Sequence, residues 1–298
     1  MITNTRYALV SLKSFGDMTI ATRAIRTLYE EDARNIVLWI GSHHVDIWQA
    51  LQPDCATEIL ILKYTGVPAF YDIKHMGVGK ATLSFVNAFQ AIQSHKSNVD
   101  VLIFDVLSWR EKILAGSFQS IALDNREQNI YKNYRETFLQ MFGRIRDEVV
   151  QPGVGKTILI LPHGRNSFRN IPSDLIDQMA KVCILHGFEP TLYMLEGETP
   201  IPCKIPIIMH SKRSFSDLRK AIEQSCAVIS ADSLTTHFAT YMEMPVFVAS
   251  PYNKTLYWLP PYSDEHQFWG LFTEPLKMMD SLERFLLSLT YLTTNLPK

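Results

Sequence analysis

The chain has few features that would mark an extracellular, membrane-spanning or nucleic-acid-binding protein. Its 298 residues contain four cysteines. Cys55, Cys183, Cys203 and Cys226 show no C-x-x-C spacing, so they fit reduced thiols in a cytosolic protein better than a disulfide frame or a zinc site. No run of about 18 apolar residues occurs, and no membrane-spanning helix is expected. The apolar run Tyr7–Val10 is too short for a signal-peptide core. Neither sign of charge dominates: 29 Lys+Arg face 30 Asp+Glu, net −1. Residues 1–150 carry 16 of each sign, and residues 151–298 carry 13 basic and 14 acidic groups. Neither half has the basic excess by which proteins grip nucleic-acid phosphates, so no nucleic-acid partner is expected.

Three short motifs are near misses. Gly153-Val154-Gly155-Lys156-Thr157 resembles a phosphate loop, but position 150 is Val where that motif needs Gly. It also precedes an apolar strand-like run instead of following one. Met76-Gly77-Val78-Gly79 reads as a loop and lacks the third glycine of a dinucleotide fingerprint. His43-His44-Val45-Asp46 could be drawn as a metal site, but adjacent residues on a helix point apart. The two histidines read as surface residues. No metal or cofactor is implied.

What is present is an alternation of strands and helices. Hydrophobic residues make up 47% and charged residues 20%, an ordinary globular composition. Strand-like runs cover 6–12, 35–41, 58–62, 99–104 and 120–123, with helical periodicity from Met18 to Leu28, near 45–51, over 81–94 and over 129–148. The stretch 150–156, rich in Gly and Pro, reads as a linker. The pattern then restarts, with strands predicted over 157–161, 191–195, 205–209, 227–230 and 246–249, the last. Helices are predicted over 173–186, 214–224 and 235–242, with Ser214 and Asp217 spaced as an acidic capping box. A C-terminal helix carries Leu282, Phe285, Leu286, Leu289 and Leu292 as one apolar stripe. Strand–helix alternation, twice over, predicts two doubly wound α/β domains that face a cleft. The expected divisions are 1–150, 151–275, and a helix and tail over 276–298.

Three segments carry polar chemistry, each where a strand gives way to a helix. In Lys13-Ser14-Phe15-Gly16-Asp17, Gly16 permits a tight turn. Asp17 reads on spacing as an N-terminal cap, and the alternative is a general base held ionised by the helix dipole. The loop 161–172 contains Gly164, Arg165, Ser167 and Arg169; two arginines among small polar groups suit a diphosphate, and the alternative is a solvated loop. In 230–237, Asp232, Ser233, Thr235, Thr236 and His237 cluster at a helix start, where backbone N–H groups favour an anion; the alternative is an ordinary cap.

Taken together these segments resemble the heptosyltransferase family, glycosyltransferase family 9, which transfers heptose from ADP-heptose to the lipopolysaccharide core. Ser14–Asp17 with Thr22, Ala24, Ile25 and Arg26 looks like the family's S-x-G-D…T-x-P-A-L-R opening, with Arg23 in the proline place. Arg169-Asn170-Ile171-Pro172 looks like its K-x-W-P. Asp232–Ala239 and Met244-Pro245-Val246 look like D-[ST]-G-x-x-H-x-A…G-x-P-V, with Leu234 in the glycine place. Ser250-Pro251, Trp258 and Pro261-Tyr262 echo the segment beyond.

The resemblance implies a GT-B fold, two Rossmann-like domains with the C-terminal helix packing back across them. It implies metal-independent inverting transfer of a sugar to a glycan or lipopolysaccharide-core acceptor, in agreement with the lack of any Asp-x-Asp. Asp17 would be the base, with Lys13 and Gly16 on the acceptor side. Gly164, Arg165, Ser167, Arg169, Ser233, Thr235 and Thr236 would hold the donor phosphates. Asp232 would contact the transferred sugar, His237 the phosphate or its loop, and Glu196 the nucleotide ribose. The implied partners are a nucleotide-sugar donor, with ADP-heptose the candidate, and a glycan or glycolipid acceptor. The implied location is cytoplasmic, with at most peripheral contact to the inner membrane. Two other readings remain: a sugar-nucleotide epimerase or hydrolase of the same fold, and a non-catalytic relative that binds a nucleotide sugar or a protein.

Overall fold

In the computed structural model the described residues are 5–51, 58–62, 68–123, 129–147, 149–164, 166–195, 198, 201, 205–210 and 214–294. The chain divides into two compact units, Met1–Asp147 and Glu148–Lys298.

The first unit holds strands β1 (Tyr7–Ser11), β2 (Ile36–Gly41), β3 (Glu58–Leu62), β4 (Val101–Phe104) and β5 (Gln119–Ala122). Its helices are α1 (Phe15–Arg26), α2 (Glu30–Ala33), α3 (Val45–Leu51), α4 (Ile73–Met76), α5 (Val78–Gln93), α6 (Trp109–Ala115) and α7 (Ile130–Phe142). The sheet runs β3-β2-β1-β4-β5 and every pairing is parallel. Every residue of β2 and β4 is buried, as expected of parallel strands covered on both faces. Trp39 is the largest fully buried side chain; its ring meets the ring edges of His95 and Phe118.

The second unit holds β6 (Thr157–Leu161), β7 (Glu189–Leu195), β8 (Ile207–His210), β9 (Ala227–Ala231), β10 (Val246–Ser250) and β11 (Trp269–Leu271). Its helices are α8 (Ser173–Leu185), α9 (Phe215–Glu223), α10 (Leu234–Tyr241), α11 (Pro261–Glu265) and α12 (Pro275–Thr294). The sheet order is β11-β10-β9-β6-β7-β8, again all parallel. Counted from β6, this is the 3-2-1-4-5-6 order of dinucleotide-binding folds. Helix α12 belongs to this unit's core: Met278, Leu282, Phe285, Leu286 and Leu289 are fully buried with Ile160, Ile229 and Phe247. Leu292, the last residue of the expected stripe, has its side chain outside the described set.

Several element boundaries differ from expectation, each for a local reason. Helix α1 starts at Phe15 because Ser14 caps it, so Gly16 is helical and not a turn residue. Met76 ends α4 and Val78 starts α5, leaving only Gly77, at φ 80°, to break the chain where a longer loop was expected. Helix α7 stops at Phe142, six residues before the expected end, because Gly143 takes the left-handed conformation that closes a helix. Strand β10 is not the last: Trp269–Leu271 pairs beside it. Three residues are too few for periodicity to reveal.

The Gly/Pro-rich stretch is docked rather than free. Gln151 N–H donates to Glu243 O at 2.9 Å and Gly153 N–H to Cys226 O at 3.0 Å. A Cβ on Gly153 would lie 2.0 Å from the Ser225 carbonyl oxygen. Among the described residues no helix is long and apolar enough to cross a membrane.

Gly153→Ala is expected to destabilise the second unit by roughly 1–3 kcal/mol, the usual cost of overpacking. Val154→Ala, at a side chain 96% exposed, is expected to leave stability unchanged. Urea denaturation of the two variants beside the parent chain measures the difference.

Candidate functional site

Open parallel sheets bind ligands where the strand order reverses, at the carboxyl ends of the first and fourth strands. In the first unit these are β1 and β4, paired from Tyr7↔Val101 to Leu9↔Ile103. Lys13 follows β1 and Asp105 follows β4. The Lys13 ammonium donates to both Asp105 carboxylate oxygens, at 2.7 and 2.9 Å, and sits 5.5 Å from the centre of the Tyr71 ring.

Two capping boxes flank that ion pair. In the first, Asp17 N–H bonds the Ser14 hydroxyl at 3.4 Å, while Asp17 Oδ2 accepts from Ser14 N–H at 2.9 Å and Ser14 Oγ at 2.8 Å. The cap reading of Asp17 is therefore realised, and it leaves Oδ1 without a hydrogen bond among the described residues. In the second, Glu111 Oε2 accepts from Ser108 N–H at 3.1 Å and from the Ser108 hydroxyl, while Tyr71 OH donates to Oε1 at 3.3 Å.

Burial raises the Asp17 pKa; the Ser14 hydrogen bonds pull it back, and the Asp105 charge pushes it up again. The helix-start position was expected to favour ionisation, but desolvation outweighs it. For Lys13, burial works to lower the pKa, but bonding to Asp105 and the nearby charges of Asp17 and Glu111 carry it above the usual lysine value.

His43 and His44 are not the outward-facing surface pair expected. His44 is fully buried and His43 partly so. They lie on a 3-10 turn, Ser42–His44, at the end of β2, with ring centroids 3.8 Å apart. His43 Nε2 lies 3.3 Å from Lys13 O, and His44 Nε2 3.2 Å from Ser14 O. The helical geometry behind the outward reading does not apply to this turn. Both rings brace the backbone that carries Lys13 and Ser14. Burial lowers the His43 pKa. Burial, with His43 beside it, drops His44 to about 3.

In the second unit the reversal lies between β6 and β9, in register from Ile158↔Ala227 to Leu161↔Ser230. The loop after β6 is drawn tight: Ile171 N–H bonds Pro162 O at 2.9 Å, and Gly164 N–H bonds the Asn170 side chain at 3.0 Å. A Cβ on Gly164 would come within 2.8 Å of the Arg169 Cβ, so glycine is what lets the arginine stem pass. Ser167 opens a short exposed 3-10 turn that ends at Arg169.

Arg169 reaches the strand that follows. Its Nη1 donates to Asp232 O at 3.3 Å and lies 3.6 Å from Asp232 Oδ2. Its guanidinium carbon is 5.8 Å from the ring centres of Phe168 and Tyr252. Its Nε is buried without a hydrogen-bond partner among the described residues.

Helix α10 starts at Leu234, one residue earlier than expected. Ser233 is its N-cap, yet the Ser233 side chain makes no capping bond. It joins a hydroxyl chain instead: Thr235 Oγ1 lies 2.7 Å from Ser230 Oγ and 2.8 Å from Ser233 Oγ. Thr236 is buried and donates to Ala231 O at 2.9 Å, so its hydroxyl faces inward. His237 is buried with its ring 6.4 Å from Trp258. Burial, aided by the Arg169 charge, lowers its pKa to about 3 and keeps it neutral. Arg165 and Glu196 lie outside the described residues.

Sequence reasoning passed over Asp105, Glu111 and Tyr71 in the first unit and Glu198 in the second. Ser108-Trp109-Arg110-Glu111 has capping-box spacing and could have been found; nothing local marks Asp105 or Tyr71. Glu198 accepts from Leu195 N–H at 2.7 Å and lies 3.7 Å from His163 Nε2. Among the described residues no group of three or more His, Cys, Asp or Glu could hold a metal. Cys183 and Cys226 are free and buried, and burial raises their thiols to about 12 and about 11.

Two parallel α/β units of five and six strands, with polar clusters at both strand reversals, define a GT-B glycosyltransferase fold. Solved structures with this fold include a glycosyl transferase family 9 protein from Veillonella parvula DSM 2008, 11% identical over 95% of this chain and 97% of that one, TM-score 0.62. The E. coli heptosyltransferase WaaC with ADP is 11% identical over 96% of this chain and all of the other (100%), TM-score 0.62. E. coli ADP-heptose lps heptosyltransferase II is 12% identical over 95% and 99%, TM-score 0.54. No family model and no curated protein sequence matches the chain. The heptosyltransferase resemblance thus holds in fold over nearly the full length.

The two buried histidines give a pH signature. His44 and His237 are neutral in the folded chain, whereas their ordinary pKa is 6.5. The stability they contribute is complete above that value and is lost as pH falls from it toward about 3. The slope is up to about 1.4 kcal/mol per pH unit for each histidine. His44→Gln is expected to remove one proton from that dependence, read from urea midpoints between about pH 7 and about pH 5. An unchanged slope would show that native His44 already carries the proton.

Proposed function

We propose that this protein is a metal-independent, inverting glycosyltransferase that moves a sugar from a nucleoside-diphosphate donor to a hydroxyl of a glycan or glycolipid. The observation that carries the reading is Arg169. It stands at the strand reversal of a dinucleotide-type sheet with a buried N–H that has no partner among the described residues, beside a helix whose start its N-cap side chain leaves open. Those groups are donors placed for an anion.

In this reading the first unit is the acceptor side and the second, residues 151–275, the nucleotide-sugar side. Asp17 Oδ1 takes the proton from the acceptor hydroxyl. The resulting oxygen attacks the anomeric carbon, and the bond to the diphosphate breaks from the opposite face, which inverts the centre. Burial makes Asp17 a stronger base than a solvated carboxylate. Lys13 and Asp105 hold the backbone and charge around it. Negative charge builds on the departing diphosphate, where Arg169 and the first N–H groups of α10 meet it. Gly164 and Ser167 shape the loop, Ser233 and Thr235 add hydroxyls, and Asp232 fixes Arg169 and meets the sugar. Thr236 and neutral His237 support the helix start from inside. Arg165 and Glu196 are assigned to phosphate and ribose on the family resemblance alone. ADP-heptose is the first donor to try, since the WaaC structure carries ADP. The working location is cytoplasmic.

Leu234 favours a second reading. It occupies the first turn of α10, where the family pattern has glycine. A side chain there narrows the approach to the helix start, as in a relative that binds a partner without transfer.

The test is binding first, then turnover. Thermal shift with ADP-, UDP-, GDP- and dTDP-sugars is expected to show one base preferred. Arg169→Ala should weaken that donor by roughly 1.5–3 kcal/mol, the value of a charged hydrogen bond. Asp17→Asn should keep donor binding and lose transfer by a factor of about a hundred or more. No shift with any donor would reject the donor site. Donor binding with full activity in Asp17→Asn would reject the base. Donor hydrolysis without acceptor would identify a hydrolase of the same fold.

A further inference from the structure

We propose that the outward face of α4, α5 and α6 docks the first unit on an anionic lipid surface. The inference goes beyond the transferase reading and stands without it.

Helix α5 packs on α4 and α6, with the Phe85 and Trp109 rings 6.4 Å apart. Its inner face, Ala81, Ala88 and Ile92, is buried. Its outer face carries Lys80, Thr82, Asn87 and Gln90, but large apolar side chains stand exposed among them. Val78 is 73% exposed, Leu83 64% and Val86 43%, with Met76 of α4 and Trp109 of α6, 62% exposed, continuing the surface. Soluble proteins seldom leave several large apolar side chains together on adjacent elements without an occupant.

The charges say which occupant. From Ile73 to Val99 the sequence contains no Asp or Glu, although the whole chain has slightly more acid than base. Lys74, Lys80 and Lys112 are exposed on the three helices. Arg110 lies with its guanidinium 5.5 Å from the Trp109 ring centre. Glu111, the acid of α6, is turned inward into its capping box. Asp72, the nearest acid before α4, bonds His75 at 2.6 Å. A surface that bears exposed apolar side chains and an indole, rimmed by cations and with its nearest acid in sequence, Asp72, paired to His75, matches an acidic bilayer: apolar side chains enter the acyl boundary, Trp109 sits at headgroup depth, and lysines meet lipid phosphates. A second copy of the chain is a poor occupant. A two-fold contact would set these cations against their own copies, with Asp72, already bonded to His75, the acid nearest in sequence.

The placement relative to the polar cluster is also informative. Tyr71, which contacts Lys13 and Glu111, lies two residues before α4, and Ser108, which caps α6, directly precedes Trp109. The same two helix starts that build the cluster thus carry the apolar face.

The experiment is co-sedimentation of the full chain with vesicles of phosphatidylcholine alone or with about one third phosphatidylglycerol. Binding is expected to the anionic vesicles and to weaken with salt. The apolar variant Leu83→Ser/Val86→Ser/Trp109→Ser and the charge variant Lys74→Gln/Lys80→Gln/Lys112→Gln should each lose about tenfold or more in affinity. Leu185→Ser, at a side chain 83% exposed on α8, should bind as the parent does. Circular dichroism checks that each variant is folded. In addition, brominated lipid should quench a tryptophan component that disappears in Trp109→Phe. The proposal is overturned if the parent chain stays in the supernatant, or if the folded apolar variant binds undiminished. It is equally overturned if quenching survives Trp109→Phe unchanged. Concentration-dependent dimers that the apolar variant abolishes, without vesicle binding by the parent, would assign the face to a second copy instead.

Discussion

Parallel pairing is the constraint from which the sites follow. When every strand runs the same way, every strand ends at the same edge, and the segments that leave those ends share one rim. Both units then repeat one solution. In the first, the cation after the first strand, Lys13, pairs with Asp105, the residue directly after the fourth strand. In the second, Arg169 in the loop after β6 pairs with Asp232, the residue directly after β9. The sequences at these places share nothing obvious, but the strand order brings the same two positions together. The pairs differ in how completely they are satisfied. Lys13 puts two short bonds on Asp105, whereas Arg169 reaches the Asp232 carboxylate at 3.6 Å and keeps a donor without a partner among the described residues. The first holds its own loops, and the second leaves the donor on which the proposed donor site rests.

Desolvation sets the chemistry of the groups around these pairs. The carboxyl of Asp17 moves up, and the imidazoles of His44 and His237 move down, because burial penalises whichever form is charged. A neutral imidazole can still bond a backbone carbonyl, which is what His44 does at Ser14. The loop that presents Asp17 is therefore fixed from one side by its own cap and from the other by a ring that carries no charge.

The sequence made the architecture and one half of each cluster readable. Buried strand runs such as Ile36–Gly41 and Thr157–Leu161 announce parallel sheets, because nothing but apolar residues fits between two helical layers. The segments 13–17, 161–172 and 230–237 were legible because they combine small, charged and hydroxyl residues at strand ends. The other halves were hidden. Asp105 is one acid after an apolar run, and its importance comes from a strand paired across about ninety residues of chain. His43 and His44 looked like surface residues because a helix was assumed where the chain makes a 3-10 turn. The outward apolar face of α5 was concealed for the opposite reason: Ala81, Ala88 and Ile92 satisfy helical periodicity, and periodicity does not distinguish a core-facing residue from an equally apolar one that faces out.

The sheet order also imposes a timetable. Strand β1 lies in the middle of its sheet, with Tyr7 beside Ile36 on one side and Val101 on the other. During synthesis it gains its first neighbour early but remains open along its second edge until β4 leaves the ribosome. The second unit repeats the delay, since β6 waits for β9. Each nascent unit thus passes through a stage in which its central strand exposes an unpaired edge, the situation in which slow parallel sheets depend on chaperones or on rapid completion of the chain.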